Sequence, residues 1–354
     1  MTPKLTAAHI VSAIAQLDRA VEYSYVGRKA KLLINDVVLP EGPVEFLRQS
    51  KSGGLTAAKI TKQSIATLAA ICSQRPNYPL HIDRIFSAGG NTRSAFETLL
   101  AHTAHFFICY PRRTDAYSGK VKTDLKHILW SPERTHPPGI VEVIDYDGTI
   151  TEIELGVEFD RILLTATDLG EEFNSIEAKR THVQMQVALI EIGRALGFKI
   201  WIAQNDQGIR VGNKRLGEYE GVLTSLDTVD ILYTRAAKRA AQHIDCLWFS
   251  ADGKHIPAVM EIEHSTGVTS GLTRMTKLKD EIPAIRTSYT VVASQKLRSK
   301  IVAEANKALF RDLNVTYMSY TTVQNLFGLI RTYALSGYVD HRFIQPFLEK
   351  VVSA

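Results

Sequence analysis

Residues 243–263 read H-I-D-C-L-W-F-S-A-D-G-K-H-I-P-A-V-M-E-I-E. Two apolar runs flank Asp252-Gly253-Lys254, a short polar break of the kind that turns a chain, so the stretch predicts strand, turn, strand. Side chains along a strand alternate between its two faces. Glu261 and Glu263 therefore project together, with Ile262 opposite. The first strand carries Asp245 inside an otherwise apolar run, and pairing the two strands as a hairpin brings Asp245 near Glu261. Three carboxylates on one half-buried patch repel each other, and each is costly to desolvate. A divalent cation resolves that conflict, and hard oxygen ligands suit Mg²⁺ or Mn²⁺ rather than zinc. The plainer alternative is a Glu-x-Glu on the wet face of an edge strand, with Asp245 paired to a nearby lysine.

Working outward, residues 176–197 place Met185, Leu189, Ile192 and Leu196 at helical spacing, with Gly197 as a stop. Strands follow at 198–203, 243–250, 257–263, 288–294 and 315–320, with helices near 227–241, 270–279 and 295–309. That order predicts an α/β core, a mixed β-sheet flanked by helices. The part before residue 130 predicts a mostly helical domain, with helices at 6–20, 56–75 and 92–106, the last capped by Asn91 or Thr92. S-P-E-R-T-H-P-P-G (131–139) punctuates the chain through Pro137, Pro138 and Gly139. The expected domains are therefore 1–135 and 136–354. V-E-V-I-D-Y-D-G-T-I-T-E-I-E-L (141–155) alternates on both sides of Asp147-Gly148, as a β-hairpin with a tight turn does.

Composition bounds the function only loosely. The chain has 354 residues, a 45% hydrophobic content and a net charge of +5. That length suggests two domains, and the mild basicity is compatible with a nucleic-acid partner. Cys72, Cys109 and Cys246 are widely spaced and form no C-x-x-C, which argues against a disulfide framework or a cysteine zinc site. There is no signal-peptide pattern and no apolar run long enough to span a bilayer, so a soluble, cytoplasmic protein is expected.

The ordered context of the carboxylates resembles a known family. An Asp, a short hairpin, a Glu-x-Lys in the next strand, then a helix and another strand form the core of the PD-(D/E)XK nucleases. Here fifteen residues separate Asp245 from Glu261, and Glu261-Ile262-Glu263 takes the Glu-x-Lys position. The helix at 176–196 and the strand at 198–203 fall where that core requires them. E-I-E-H-S-T-G-V-T-S-G-L-T-R-M (261–275) also resembles a stretch of certain restriction endonucleases. The resemblance spans roughly residues 160–325. It departs from the commonest pattern at Ile244, where a proline is usual, and at Glu263, which stands in place of the lysine; some type II restriction enzymes share the Glu-x-Glu. It implies that Asp245 and Glu261 hold Mg²⁺ (Mn²⁺ as a substitute) and that Glu263 accepts a water's proton or helps hold a second metal. Gln186 or Glu191 on the preceding helix is expected to reach the site, Glu191 being more often solvated. His264 points away from Glu263 and is expected to be structural.

Other signals compete or contribute. D-Y-D-G-T (145–149) resembles the nucleophile motif of haloacid-dehalogenase-like phosphatases, with Asp145 as nucleophile, Asp147 as acid/base and Thr165 as the second motif. That family needs a helix after the nucleophile strand, whereas T-I-T-E-I-E-L continues as strand. Y-P-R-R-T-D-A-Y-S-G-K-V-K-T-D-L-K (110–126) interleaves Arg112, Arg113, Lys120, Lys122 and Lys126 with Tyr110 and Tyr117, which suits phosphate contacts on a duplex; a solvated loop is the plain alternative. Arg274 and Lys277, with Lys279, follow the carboxylates on the next helix and can contact DNA beside the cut. The chain is thus expected to be a Mg²⁺-dependent type II restriction endonuclease acting on double-stranded DNA as a homodimer. A phosphatase and a non-catalytic DNA-binding protein are the alternatives.

Overall fold

The computed structural model describes residues 4–26, 30–49, 54–86, 90–116, 121–123, 125–152, 176–264, 267–282 and 287–351. The chain divides into two compact units, Met1–Glu154 and Leu155–Ala354. The Pro137-Pro138-Gly139 segment lies inside the first unit, where the His136 ring meets the Phe106 carbonyl at 2.9 Å.

The first unit is mixed rather than mostly helical. Helix α1 (Ala7–Ala15) starts at Thr6, whose hydroxyl accepts from the His9 N–H at 3.2 Å. An antiparallel sheet then runs in the order β1 (Tyr23–Ser24), β2 (Lys31–Val37), β3 (Val44–Gln49), β4 (Leu55–Ile60). The helix expected over 56–75 begins only at Lys62. Residues 55–60 are permissive of helix, but β3 pairs with all six of them, and that ladder overrides propensity. Thr61 then caps α2 (Lys62–Gln74). α3 (Ile82–Ile85) and α4 (Gly90–Ala101) follow, then β5 (Phe106–Cys109), β6 (Arg113–Ala116), β7 (Val121–Lys122) and β8 (His127–Trp130).

The hairpin expected at 141–155 does not form. β9 (Val143–Ile144) pairs in parallel with β5, and β10 (Thr149–Glu152) pairs in parallel with β6. The alternation in the sequence marks two half-buried strands, as expected, but their partners lie elsewhere in the chain.

The second unit has the α/β core the sequence predicts. α5 (Ile176–Ala195) leads into β11 (Lys199–Ile202), the small ribbon β12 (Arg210–Val211) and β13 (Lys214–Arg215), and α6 (Arg235–Ala241). Next come β14 (Cys246–Phe249), β15 (Ala258–Glu263), α7 (Val268–Glu281) and β16 (Ser288–Ala293). α8 (Arg298–Ala305), β17 (Thr316–Ser319), α9 (Tyr320–Thr332) and β18 (Glu349–Lys350) complete it. Six strands form one sheet in the order β11-β14-β15-β16-β17-β18. β14 and β15 are the predicted antiparallel pair, with the turn at Gly253 in a left-handed conformation (φ 72°). β15, β16 and β17 run parallel, each joined to the next through a helix, as a parallel connection requires.

The two sheet faces are covered by different helices. Trp201, Leu247, Phe249, Val259, Val291 and Tyr317 face α6, α7 and α8 in one apolar core. The opposite face presents Trp248, Met260 and Val292, and α5 and α9 pack there. Strands β14 to β16 are buried on both sides, which is why they read as nearly continuous apolar runs. Cys72, Cys109 and Cys246 are all buried and unbridged. Among the described residues no helix is long and apolar enough to cross a membrane.

One close approach fixes α5 on the sheet. The Trp248 indole N–H donates to the Leu189 carbonyl at 3.2 Å, and a Cβ at Gly193 would lie 2.5 Å from that same nitrogen. Helix propensity alone favours Gly193→Ala by about 1 kcal/mol. The rigid indole reverses the sign. Gly193→Ala is expected to destabilise by about 1–3 kcal/mol, and 1 kcal/mol corresponds to about 2–4 °C for a unit of this size. Thermal unfolding followed by circular dichroism checks this; an unchanged or higher Tm would show that Trp248 moves aside freely.

Candidate active site

The β14–β15 register pairs Leu247 with Val259 and Cys246 with Met260. One step further along, Asp245 lies beside the end of β15. Its Oδ2 accepts the Ile262 N–H at 2.7 Å. That bond ties the Asp245 carboxylate to the peptide lying between the two glutamates. Asp245, Glu261 and Glu263 are all buried, at 8%, 0% and 7% exposure. The wet-face alternative therefore does not hold: this Glu-x-Glu points into the α7 side of the sheet.

α7 can approach these carboxylates because it presents glycine to them. A Cβ at Gly271 would lie 2.6 Å from Glu263 Oε1 and 3.2 Å from Glu261 Cβ. One turn on, Arg274 turns its planar guanidinium back onto Glu261. Nε donates to Oε1 at 2.9 Å and Nη2 donates to Oε2. Such a bidentate pair is among the stronger side-chain contacts, and it offsets part of the cost of burying a carboxylate.

The two glutamates differ as a result. Burial and Asp245 push the Glu261 carboxyl well above the usual range, against the opposing pull of Arg274. Burial and Asp245 also raise Glu263, to about 7, while Arg274, His182 and Lys300 pull it down. Glu263 is thus poised to exchange a proton near neutrality. His264 is held by Tyr320, whose hydroxyl lies 2.8 Å from its Nδ1 and also donates to the Glu263 carbonyl at 2.6 Å. Burial, with His182 nearby, lowers the His264 pKa to about 4, so the ring is neutral.

Two residues complete the cluster that the sequence did not single out. His182 on α5 and Asp206, in the loop after β11, meet with Nε2 and Oδ2 3.4 Å apart. With Asp245 they offer three ligand atoms, all within 4.8 Å of one another, a possible acidic/His metal site. Burial opposes charge on His182, but Asp245, Asp206 and Glu263 outweigh it and raise its pKa. Burial works against the Asp206 carboxylate too, yet His182, Gln186 and Lys179 hold its pKa below the ordinary value. Gln186 does reach this cluster: its Nε2 donates to Asp206 Oδ2 at 2.7 Å. Glu191 does not; it is paired with Arg194 at 2.9 Å and Arg331 at 3.7 Å. His182 and Gln186 stand four apart, one turn of one helix face, and that spacing was the available signal. Asp206 lies in an irregular loop with no periodicity to mark it.

The donor set fits a divalent cation. Four largely buried carboxylates, Asp206, Asp245, Glu261 and Glu263, converge here with Arg274 and His182, and Asp245 raises both glutamates. Carboxylates so placed are stabilised by added positive charge.

The remaining sequence candidates are exposed, are engaged with other partners, or lie outside the described residues. Lys277 is exposed on α7, and Lys279 is bound to the Asp312 carbonyl at 2.6 Å. Arg112 and Arg113, in the first unit, make exposed pairs with Asp147 at 3.0 Å and Asp115 at 2.7 Å. Lys122 lies in β7, and its side chain is outside the described residues, as are Lys120, Tyr117 and Thr165. Lys126 is committed within the first unit to Glu97 and to the Val26 carbonyl. Asp145 is exposed, Asp147 is held by Arg112, and a strand rather than a helix follows them. These residues do not assemble a phosphatase nucleophile.

A family described as the C-terminal domain of the type II restriction enzyme NmeDI matches residues 164–351. The type II restriction enzyme NmeDI of Neisseria meningitidis serogroup C is 40% identical over 357 residues, covering 99% of each chain. No solved structure gives a match.

The raised Glu263 carboxyl has a consequence for the metal-free chain. Its folded pKa of about 7 exceeds the ordinary glutamate value of 4.5. Below pH 4.5 its contribution to stability is fully present; as pH rises towards 7 the unfolded chain loses the proton first, and the contribution is lost. Glu263→Gln removes that loss. In EDTA, the variant is expected to gain on the wild type between pH 5 and pH 8, by up to about 3 kcal/mol. Urea denaturation at both pH values checks this; a stability difference independent of pH would mean that Glu263 titrates as an ordinary carboxylate.

Proposed function

The chain belongs to the NmeDI family of type II restriction enzymes and is a sequence-specific DNA endonuclease; we propose that Asp245, Glu261 and Glu263 form its active site. The observation that carries the assignment is the convergence of these three buried carboxylates from adjacent strands, with Arg274 gripping one and another poised near pH 7.

Phosphodiester hydrolysis needs a positioned phosphate, an acceptor for the attacking water's proton, and positive charge near the oxygens that become more negative. Asp245 and Glu261 are the proposed ligands of a divalent cation, Mg²⁺ with Mn²⁺ as a substitute. Such a cation supplies Lewis acidity and lowers the pKa of water. Glu263 accepts the proton, for which a carboxyl near 7 is suited at physiological pH. Arg274 has two acceptors that fit its planar fork: the Glu261 carboxylate it now holds, and a DNA phosphate. Its side chain is one-third exposed, which leaves it open to a phosphate. Lys277, exposed one turn further along α7, adds a second phosphate contact.

The first unit is proposed to contribute to target choice. Among the described residues, Arg112 and Arg113 are held by solvent-accessible pairs with Asp147 and Asp115, which contribute little and are readily exchanged for phosphate. Lys120 and Lys122 fall in the same basic stretch. Cutting both strands of a duplex takes two sites, and a two-fold homodimer presents them symmetrically to a palindromic target.

A digest of long unmethylated DNA tests the assignment. Discrete fragments are expected with Mg²⁺ and none in EDTA. Glu261→Gln keeps the shape and an acceptor for Arg274 but removes the charge, and a fall in cleavage of about a thousandfold or more is expected, in line with the loss of a group acting on transition-state charge. Wild-type cleavage by Glu261→Gln would remove Glu261 from the site while leaving the family assignment intact.

A further inference from the structure

We infer that the ribbon β12–β13 enters the major groove of the duplex beside the cut, with Arg210 and Arg215 reading base edges and Lys214 on a phosphate. Its place beside the cut rests on the active site proposed above; its contact with DNA does not. Target choice is thereby extended to residues of the second unit outside the carboxylate cluster.

Three observations carry it. The first is the charge on one face of the ribbon. β12 and β13 pair Arg210 with Arg215 and Val211 with Lys214. Directly opposed residues share a face, and the faces alternate along a strand. Val211 and Leu216 are buried, with Ile209 half-buried opposite Leu216, whereas Arg210 and Arg215 are exposed on the other face. Like charges directly opposite each other destabilise a ribbon. Among the described residues Arg210, Lys214 and Arg215 make no ion pair. The acids that follow them are otherwise engaged: Glu218 accepts the Arg215 backbone N–H at 2.9 Å, and Glu220 is paired with Arg194 at 2.9 Å. A duplex, with one negative charge per about 1.7 Å of its axis, removes the repulsion.

The second observation is where the ribbon is rooted. It leaves the sheet at the end of β11, through the loop whose Asp206 has a carboxylate oxygen within 4.8 Å of one of Asp245. Arg210 follows Asp206 by four residues, so their Cα atoms are at most about 14 Å apart. That distance covers about four base steps of a duplex strand at 3.4 Å each. The base of the ribbon is tied down on both sides. The Ile209 N–H donates to the Asp206 carbonyl at 2.9 Å, the Leu216 N–H to the Ile209 carbonyl at 2.9 Å, and the Gly217 N–H to the Gln207 carbonyl at 3.0 Å. The returning chain is pinned to β11 itself, where Ile200 donates to the Gly221 carbonyl at 2.8 Å and accepts the Leu223 N–H at 2.7 Å.

The third observation is the shape of the tip and its donors. Val211 and Lys214 are joined by Gly212-Asn213, with Gly212 left-handed (φ 61°), the two-residue, glycine-first turn that keeps a hairpin narrow. The ribbon pairs with no further strand among the described residues. A two-stranded ribbon fits the major groove of B-DNA, which is about 12 Å wide. The arginine fork matches the O6 and N7 acceptors of guanine, and the exposed Asn213 amide at the tip can meet adenine in the same way. The Lys214 ammonium is a point charge suited to phosphate.

The test uses a duplex carrying the sequence at which the full wild-type chain cuts, with a set of duplexes each changed at one base pair. Arg210→Ala and Arg215→Ala are each expected to lower kcat/KM on the cut sequence at least about tenfold and to flatten discrimination at one or two base pairs. Arg210→Lys and Arg215→Lys keep the charge but lose the fork, and are expected not to restore it. Lys214→Ala is expected to weaken binding on every duplex alike and to reduce the salt slope of affinity by about 1. Circular dichroism confirms that each chain folds. Asn213→Cys places a thiol at the tip, where the buried Cys72, Cys109 and Cys246 do not compete. It is expected to form a disulfide with a thiol tethered to cytosine N4, in the major groove, and not with one tethered to guanine N2, in the minor groove. Wild-type discrimination in both alanine variants, or its restoration by lysine, overturns base reading by the ribbon. Cross-linking through the minor-groove tether alone overturns its placement. Each arm compares a ribbon variant with the wild-type chain, so cutting retained by Glu261→Gln overturns the active-site reading and leaves the groove contact standing.

Discussion

A fully buried glutamate in the middle of a sheet is the constraint around which the second unit is arranged. Desolvating Glu261 without a partner would cost several kcal/mol. Arg274 makes the burial tolerable, and it can do so only if α7 runs close enough for the guanidinium to reach both oxygens. That closeness depends on Gly271, where a Cβ would collide with Glu263 and crowd Glu261. The pair therefore fixes the depth of α7 on the sheet. α7 in turn closes the apolar core through Leu272, Met275 and Leu278. Helix packing and acidic chemistry are here set by the same few residues.

Glu261 and Glu263 share a strand and a face, yet their surroundings separate them. Arg274 is bonded directly to Glu261, whereas it acts on Glu263 through its charge, together with His182 and Lys300. Two carboxylates with different partners can take different tasks in one reaction. A lysine at position 263 would meet Arg274 and His182 as like charges, so the environment suits the glutamate found there.

The part of the fold that was legible in the sequence is the part whose contacts are short-range or strongly patterned. The β14–β15 hairpin announced itself through two apolar runs and an Asp-Gly turn, and its register put Asp245 beside Glu261. α5 was legible from helical periodicity. What escaped were features decided by distant partners. Residues 55–60 carry no strong strand signal and become β4 because β3 supplies a ladder. Residues 141–152 do alternate, but alternation says that a strand exists and not which strand it joins. Asp206 is fixed by the end of β11 meeting α5, a meeting that no local pattern encodes. The PD-(D/E)XK resemblance correctly ordered the core elements, and it said nothing of the imidazole that α5 contributes.

Cys246 follows Asp245 in the chain, and its side chain points to the other face of the sheet, where it is completely buried. Burial pushes its thiol far above the usual range, with Asp245 adding to the effect. Cys72 and Cys109 are buried as well, so no thiol among the three is accessible while the protein is folded. An alkylating reagent can reach Cys246 only when β14 parts from its neighbours. The rate at which this sulfur is modified is consequently a clock for local opening of the strand that carries Asp245, read without mutation or label. Anything that braces that strand, whether a cation or a length of duplex, must slow the clock.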